Sequence, residues 1–219
     1  MRNNEHSIER AFDKHFEAAA ERHGSEAHAF PLGGQDALAG ADYLFSDAWN
    51  FALIEFKFSD AQLVNEAAKP RRLTLCKELQ TAPAMRELHN QCHHIVWMDR
   101  ITKKLMCNTY CDEICNQRVF KGASNLPVSP TTSSRVEARL FFDQFFDGVP
   151  PRKIGLDAFE RYLEWVLSET SGSDQSTVRL MATDDHNAVM VELESVRAAY
   201  NWMQDRNPSA SHAPGWSGM

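Results

Sequence analysis

The fold is decided by residues 41–59, which run ADYLFSDAWNFALIEFKFS. Two apolar segments, residues 41–46 and 51–59, flank a polar turn at residues 47–50, a pattern typical of a β-hairpin. The second segment is apolar on both faces, as expected of a strand in the middle of a sheet covered by helices. We therefore predict two adjacent antiparallel strands inside the core.

Two charged residues interrupt the apolar second strand. Glu55 and Lys57 are two positions apart, so their side chains leave the same face of the sheet. Such charges are costly to bury unless they are paired or ligated. A four-residue turn would place Ser46 opposite Phe51. The same register puts Asp42 directly opposite Glu55, with Cβ atoms about 5 Å apart, which suits two carboxylates sharing one hard cation.

Elements on either side of the hairpin complete an α/β pattern. Ile8, Phe12 and Phe16 recur at helical spacing and predict an amphipathic helix over residues 5–23, followed by an apolar segment at residues 27–32. Pro70 marks the start of a helix after the hairpin. Residues 94–101 are predicted to form a strand and residues 104–110 its hairpin partner. This order predicts an α/β fold with a mixed sheet flanked by helices.

The chain divides into a core and a mostly helical C-terminal part. We predict an α/β core at residues 1–121, a loop or linker rich in Ser, Thr and Pro at residues 122–134, and a helical part at residues 135–206 packed on the core. Within that part, helices are predicted at residues 135–146, 157–168 and 188–204, and a strand at residues 177–182. Residues 207–219 are predicted to be a disordered tail.

The hairpin motif resembles the core of the PD-(D/E)xK nuclease superfamily. In that superfamily a strand bearing Asp is followed by a hairpin and a strand bearing Glu-x-Lys, as Asp42, Glu55 and Lys57 are arranged here. The resemblance covers residues 5–101 and implies a restriction-endonuclease-like α-β-β-β-α-β core with additional C-terminal helices. The family has a proline before the first acid, whereas Ala41 stands at that position.

The resemblance also implies roles for individual residues. Asp42 and Glu55 would hold Mg²⁺ or Mn²⁺, and Lys57 would orient or activate the attacking water. Members of the family often add a glutamate from the first helix, and Glu9 is the candidate because it borders the apolar stripe of that helix.

A basic segment follows the second strand of the hairpin. Lys69, Arg71, Arg72 and Lys77 fall within nine residues and are candidates for contacts with a nucleic-acid backbone. The alternative is a solvated helix face in which Glu78 is a partner for these cations. The net charge of −7 argues against nucleic-acid binding over the whole surface.

The five cysteines permit two interpretations. Cys92, Cys107, Cys111 and Cys115, with nearby histidines, could hold zinc or an iron–sulfur cluster, or they could simply pack in the core. An odd number of cysteines and an N-terminus without an apolar stretch favour a cytoplasmic, reducing location rather than a disulfide framework. No segment is long and apolar enough to predict a membrane span.

These observations leave two functions of different classes. The first is a Mg²⁺-dependent endonuclease that hydrolyses phosphodiester bonds, with DNA as the expected partner. The second is a catalytically inactive, nuclease-like module that binds nucleic acid or a protein. Assembly into a homodimer or with a partner protein stays open.

Overall fold

A central mixed sheet organises the chain. The computed structural model describes residues 2–32, 39–69, 71–171, 178–184 and 189–206. The strands are β1 (His28–Pro31), β2 (Tyr43–Ser46), β3 (Asn50–Ser59), β4 (His93–Met98), β5 (Leu105–Thr109), β6 (Val136–Glu137) and β7 (Ile154–Gly155), with a separate hairpin of β8 (Leu180–Asp184) and β9 (Val189–Leu193). The helices are α1 (Arg2–His23), α2 (Arg72–Thr81), α3 (Pro83–Cys92), α4 (Tyr110–Ile114), α5 (Ala138–Asp147), α6 (Leu156–Ser171) and α7 (Val196–Arg206), and a 3₁₀ segment covers Asp60–Ala68.

The sheet has the order β1-β2-β3-β4-β5-β6, and β7 pairs with the first residues of β3. β1, β2 and β3 form an antiparallel meander, and β4 runs parallel to β3. A parallel pair needs a long crossover, which the 3₁₀ segment, α2 and α3 supply here. The predicted α/β class with a mixed, open sheet flanked by helices is therefore confirmed.

The hairpin register agrees with the sequence prediction. Ser46 pairs with Phe51 and Tyr43 pairs with Ile54, so the ladder directs Asp42 toward Glu55. The turn is closed by Asp47, whose Oδ1 accepts the backbone N–H groups of Trp49 at 3.1 Å and Asn50 at 2.7 Å. A side chain that replaces missing backbone partners fixes the turn length, and the turn length fixes the register.

Each face of the sheet has its own hydrophobic core. On one face, α1 and α5 cover β2, β3 and β4 with a cluster of phenylalanines (Phe12, Phe16, Phe45, Phe56, Phe141, Phe142 and Phe145). On the other face, α2, α3, α4 and α6 cover Leu53 and Ile95. Glu55 and Lys57 alternate with Ile54 and Phe56, so the two charged side chains point to the α2–α6 face.

The C-terminal part continues the same sheet. β6 pairs with β5, and β7 pairs with β3. Residues 122–134 contain neither helix nor strand, yet Leu126 is buried and the Thr131 N–H donates to the Asp112 carbonyl at 2.8 Å. This loop therefore packs on α4 as it crosses to the last third of the chain.

Two predicted helices have different limits in the structure. The helix predicted from Pro70 begins at Arg72, after the 3₁₀ segment, and a separate helix begins at Pro83. The prediction of one helix over residues 188–204 was wrong, because β9 covers Val189–Leu193 and α7 begins at Val196. Alternating β-branched residues favour the strand, and the Ser195 hydroxyl accepts the Ala198 N–H at 3.0 Å, as an N-cap does. Residues 177, 188 and 207–219 lie outside the described residues.

None of the helices in the described ranges has the length and apolarity that a membrane span requires.

The phenylalanine cluster generates a first prediction. Phe12 is fully buried, and its ring centroid lies 4.7 Å from that of Phe142 and 5.3 Å from that of Phe45. Phe12→Ala should lower the free energy of unfolding by about 3–5 kcal/mol, because it leaves a cavity between α1, α5 and the sheet. Urea denaturation measures the loss. Ile101→Ala, at a position that is 90% exposed, is the control and should change stability by less than about 0.5 kcal/mol. Equal effects of the two variants would contradict this packing.

Candidate active site

Asp42 is held between two strands at the start of β2. Its backbone N–H donates to the Ile54 carbonyl and its carbonyl accepts the Leu32 N–H, both at 3.0 Å. The side-chain Oδ2 accepts the backbone N–H of Phe56 at 2.7 Å. The carboxylate thus replaces a backbone acceptor where the β2–β3 ladder ends, and it is anchored beside Glu55.

Glu55 and Lys57 form a buried ion pair. Glu55 is fully buried and Lys57 is 4% exposed. The Lys57 ammonium donates to Glu55 Oε1, and also to the Phe56 carbonyl at 2.9 Å. Their spacing of two residues places both side chains on one face, and burial in an apolar strand leaves each charge dependent on a partner.

A second buried glutamate completes the site. Glu66 lies on the 3₁₀ segment, with Oε1 at 3.0 Å from Lys57 Nζ and Oε2 at 3.2 Å from Arg72 Nε. The Tyr110 hydroxyl donates to Glu66 Oε2 at 2.6 Å. Sequence analysis missed Glu66, but a signal exists: Leu63 and Glu66 are the buried residues of this segment, and positions three apart coincide on a 3₁₀ helix.

Two members of the predicted basic segment also belong to this cluster. Lys69 donates to Glu55 Oε1 and lies 3.2 Å from Glu66 Oε1, while Arg72 Nη2 lies 3.6 Å from Glu55 Oε2. We define the carboxylate–cation cluster as Asp42, Glu55, Lys57, Glu66, Lys69 and Arg72. Arg72 is 2% exposed and therefore points to the carboxylates rather than to solvent. The Lys69 side chain, at 28% exposure, connects the cluster to the surface.

The structure does not bring the remaining predicted site residues into the cluster. Glu9 lies on α1, which packs on the opposite face of the sheet, and it accepts hydrogen bonds from His6 at 2.9 Å and from the Tyr43 hydroxyl at 3.5 Å. Arg71 precedes α2 with a left-handed backbone, φ 71°. Lys77 is exposed on α2. Lys69 and Arg72 therefore join a buried ion-pair network, Arg71 is half-buried with its Nη1 enclosed, and Lys77 alone of the four is exposed.

Burial and charge set the protonation of the cluster. Burial, reinforced by the negative charge of Glu55, raises the pKa of Asp42 to about 7, although Lys69 and Lys57 oppose the rise. Burial acts in the same direction on Glu66, but Lys57, Lys69 and Arg72 outweigh it and lower the pKa of Glu66 to about 2. Lys57 loses hydration by burial, yet Glu55 and Glu66 raise its pKa above the usual value. The site therefore pairs an ionised Glu66 and a protonated Lys57 with an aspartate, Asp42, that titrates near neutrality.

The cluster has a limited capacity for a metal ion. Across the residues that the structure describes, no group of three or more His, Cys, Asp or Glu side chains is arranged to hold one. Glu55 Oε2 and Glu66 Oε1 are buried and contact Arg72 and Lys57 as ion pairs, without a hydrogen bond from the described residues. Mg²⁺ typically binds one or two carboxylates and keeps water or phosphate oxygens as its other ligands. Asp42 and Glu55 are the two carboxylates whose oxygen chemistry would meet that demand.

The cysteines do not converge on a zinc or iron–sulfur site. Cys115 forms a disulfide with Cys76, which joins the end of α4 to α2 across a Cα–Cα distance of 5.2 Å. Cys92 and Cys107 belong to the cores on opposite faces of the sheet. The sequence argued against a disulfide framework and did not anticipate this pair, because helix packing brings together two cysteines that are 39 residues apart. The three free cysteines are buried.

No family model, no curated protein and no solved structure matches this chain. The geometry of the cluster is therefore the basis on which we infer a function.

The titration of Asp42 generates a second prediction. Its folded-state pKa of about 7 exceeds the ordinary value of 3.8, so the folded chain binds the proton more tightly than the unfolded chain. The resulting stabilisation is complete below pH 3.8 and is lost as the pH rises through 7. The stability of wild type relative to Asp42→Asn should therefore fall between these limits, by up to about 1.4 kcal/mol per pH unit.

Urea denaturation in metal-free buffer from pH 4 to pH 8 measures this difference. Asp157→Asn, with a side chain that is 92% exposed, controls for loss of a surface carboxylate. If the pH profiles of wild type and Asp42→Asn were parallel, the assignment of the titration to Asp42 would be wrong.

The buried cations generate a third prediction. Glu66→Gln removes the charge that balances Lys57 and Arg72, and we expect it to lower the free energy of unfolding by about 3–5 kcal/mol. Glu137→Gln, which breaks the exposed pair with Lys104, should cost at most about 1 kcal/mol. Denaturation at pH 7 compares the two variants. Similar small losses would show that the network around Glu66 does not form in solution.

Proposed function

We propose that this chain is a metal-dependent nuclease with a restriction-endonuclease-like core. One observation carries the proposal: the Asp42 carboxylate accepts the Phe56 N–H where the β2–β3 ladder ends, close enough to Glu55 and Lys57 for their charges to act on its pKa, and Lys57 leaves the same face of β3 as Glu55. This is the arrangement that the resemblance to the PD-(D/E)xK superfamily implies for two metal ligands and a cation.

The topology supports the same proposal. A first helix precedes an antiparallel meander of three strands, and a helical crossover then leads to β4, which is parallel to β3. Helices cover both faces of the sheet. This is the order of elements expected of the α-β-β-β-α-β core, with β5 to β9 and α4 to α7 added after it.

The chemistry follows from the charges of the cluster. Asp42 and Glu55 would hold Mg²⁺ or Mn²⁺, which when bound supplies a Lewis acid and lowers the pKa of a coordinated water. Lys57 is held as an ammonium by Glu55 and Glu66. It therefore acts by charge, orienting a water or a scissile phosphate, rather than by accepting a proton.

The expected substrate is nucleic acid, with DNA as the first candidate. Lys69 links the buried cluster to the surface, and exposed Lys77 lies on α2, the helix that begins at Arg72. These are positions from which cations can contact phosphates that flank the cleaved bond. Buried Arg72 orders the carboxylates and takes no part in such contacts.

One observation favours the non-catalytic alternative. Lys57 and Lys69 both donate to Glu55 Oε1, so the site balances much of its charge without a metal ion. In that case the nuclease-like fold binds nucleic acid or a protein partner without hydrolysis, and the cluster serves stability alone.

Cleavage assays form the fourth prediction. Plasmid, linear and single-stranded DNA, and RNA, are incubated with the protein with and without Mg²⁺ or Mn²⁺. Asp42→Asn, Glu55→Gln and Lys57→Met should each lower metal-dependent cleavage by at least about 100-fold, because the first two remove a metal ligand and the third removes the charge that orients water or phosphate. Lys14→Met, an exposed lysine on α1, is matched to Lys57→Met and should retain activity.

Metal binding is measured separately by thermal denaturation. Mg²⁺ should raise the melting temperature of wild type and of Lys57→Met, since a ligand of the native state stabilises it, but not that of Asp42→Asn. Wild-type protein with neither a melting shift nor cleavage of any substrate would refute the nuclease and support the binding module.

A further inference from the structure

Three buried polar side chains form a second hydrogen-bonded set next to the cluster, and none of them has a role in the chemistry described above. Its side chains are His89 on α3, His93 on β4 and Tyr162 on α6, and all three are fully buried. The Tyr162 hydroxyl lies 2.6 Å from His89 Nδ1 and 2.8 Å from His93 Nδ1. The chain of hydrogen bonds ends on two backbone groups, the Cys111 N–H and the Gly40 carbonyl.

The two backbone ends determine the direction of every hydrogen bond. The Cys111 N–H can only donate, so His89 Nε2 accepts it at 3.0 Å and the ring proton of His89 is on Nδ1. His89 therefore donates to the Tyr162 oxygen, and the Tyr162 hydroxyl donates to His93 Nδ1. The proton of His93 is then on Nε2 and is donated to the Gly40 carbonyl at 2.9 Å. Each group is satisfied in a single arrangement.

Gly40 is positioned tightly by this chain. Its backbone is left-handed at φ +85°, and a Cβ there would lie 3.0 Å from His93 Cε1 and 3.1 Å from Arg72 Nη1. His93 pairs with Leu53 on β3, two residues before Glu55. The hydrogen bond from His93 to Gly40 therefore ties the segment before Asp42 to β4, the strand that pairs with the Glu55 strand β3.

We propose that His93 and Tyr162 are positioning residues that hold Asp42 at its working distance from Glu55. The proposal rests on the proposed nuclease function for its consequence in catalysis, but its structural part stands on the hydrogen-bond chain alone. Tyr162 fixes the ring orientation of His93, and His93 fixes Gly40, two residues before Asp42. The last third of the chain thus contributes to the site through α6 although none of its side chains belongs to the cluster.

The test uses Tyr162→Phe, which keeps the ring and removes the hydroxyl. The Phe56 N–H donates to Asp42 Oδ2, so its hydrogen exchange reports the position of the carboxylate. We expect its protection to fall by at least about tenfold relative to the Ala52 amide in the same strand. For cleavage, kcat should fall by about 10- to 100-fold with little change in KM, as for a misplaced reacting group.

Two comparisons separate positioning from general stability. Tyr200→Phe makes the same change on α7 and should leave both readouts at wild-type values. His93→Gln retains an amide N–H that can reach Gly40 and should recover much of the kcat that His93→Leu loses. These variants keep the test valid if Tyr162→Phe proves too unstable to purify.

The outcomes are distinguishable from those of the nuclease proposal. The positioning role is wrong if hydrogen exchange quickens equally at the Phe56 and Ala52 amides, or if the kcat of Tyr162→Phe equals that of wild type. In either case, cleavage by the wild-type protein still supports the nuclease proposal. If hydrogen exchange in Tyr162→Phe quickens at the Phe56 amide alone and the wild-type protein cleaves no substrate, the positioning of Asp42 is supported and the nuclease proposal is wrong.

Discussion

The burial of Glu55 and Lys57 in the central strand is the constraint on which the rest of the structure depends. β3 has neighbours on both sides and helices on both faces, so water cannot solvate these charges. Removing one partner from a buried ion pair costs more than the pair contributes, which makes every counter-charge necessary. The crossover after β3 supplies them: Glu66 comes from the 3₁₀ segment, and Arg72 comes from the first turn of α2.

The cluster is balanced by number but not by environment. Three carboxylates face three cations, yet the cations gather around Glu55 and Glu66, and Asp42 is left with a backbone N–H as its hydrogen-bond donor. Because the cations lie closer to Glu66 than to Asp42, the pKa of Glu66 is lowered while that of Asp42 is raised. A buried carboxylate whose pKa is raised by burial and by a neighbouring carboxylate becomes easier to ionise when positive charge is added, and such perturbed groups are concentrated at functional sites.

The sequence pattern predicted the hairpin and the residues that it carries, whereas contacts between elements distant in sequence depend on tertiary packing and were not predicted. The hairpin and its Ser46–Phe51 register followed from the apolar pattern and a four-residue turn, and this register directs Asp42, the residue before β2, toward Glu55. A dense basic segment could not show that Arg72 turns inward, since that depends on Glu66, which lies outside the hairpin. The contact of Tyr110 with Glu66 and the disulfide join elements far apart in sequence, and no spacing rule reveals them.

The chain of His89, Tyr162 and His93 has a consequence for the response of the protein to acid. Burial lowers the pKa of His93 to about 3 and keeps that of His89 well below its usual range, so both imidazoles stay uncharged where histidines ordinarily gain a proton. Tyr162 is likewise held as a neutral phenol, since burial raises its pKa. His89, His93 and Tyr162, which support Asp42, therefore stay uncharged across the pH range in which Asp42 itself changes charge. Asp42 can therefore gain or lose its proton while the hydrogen bonds of His89, Tyr162 and His93 keep the same arrangement.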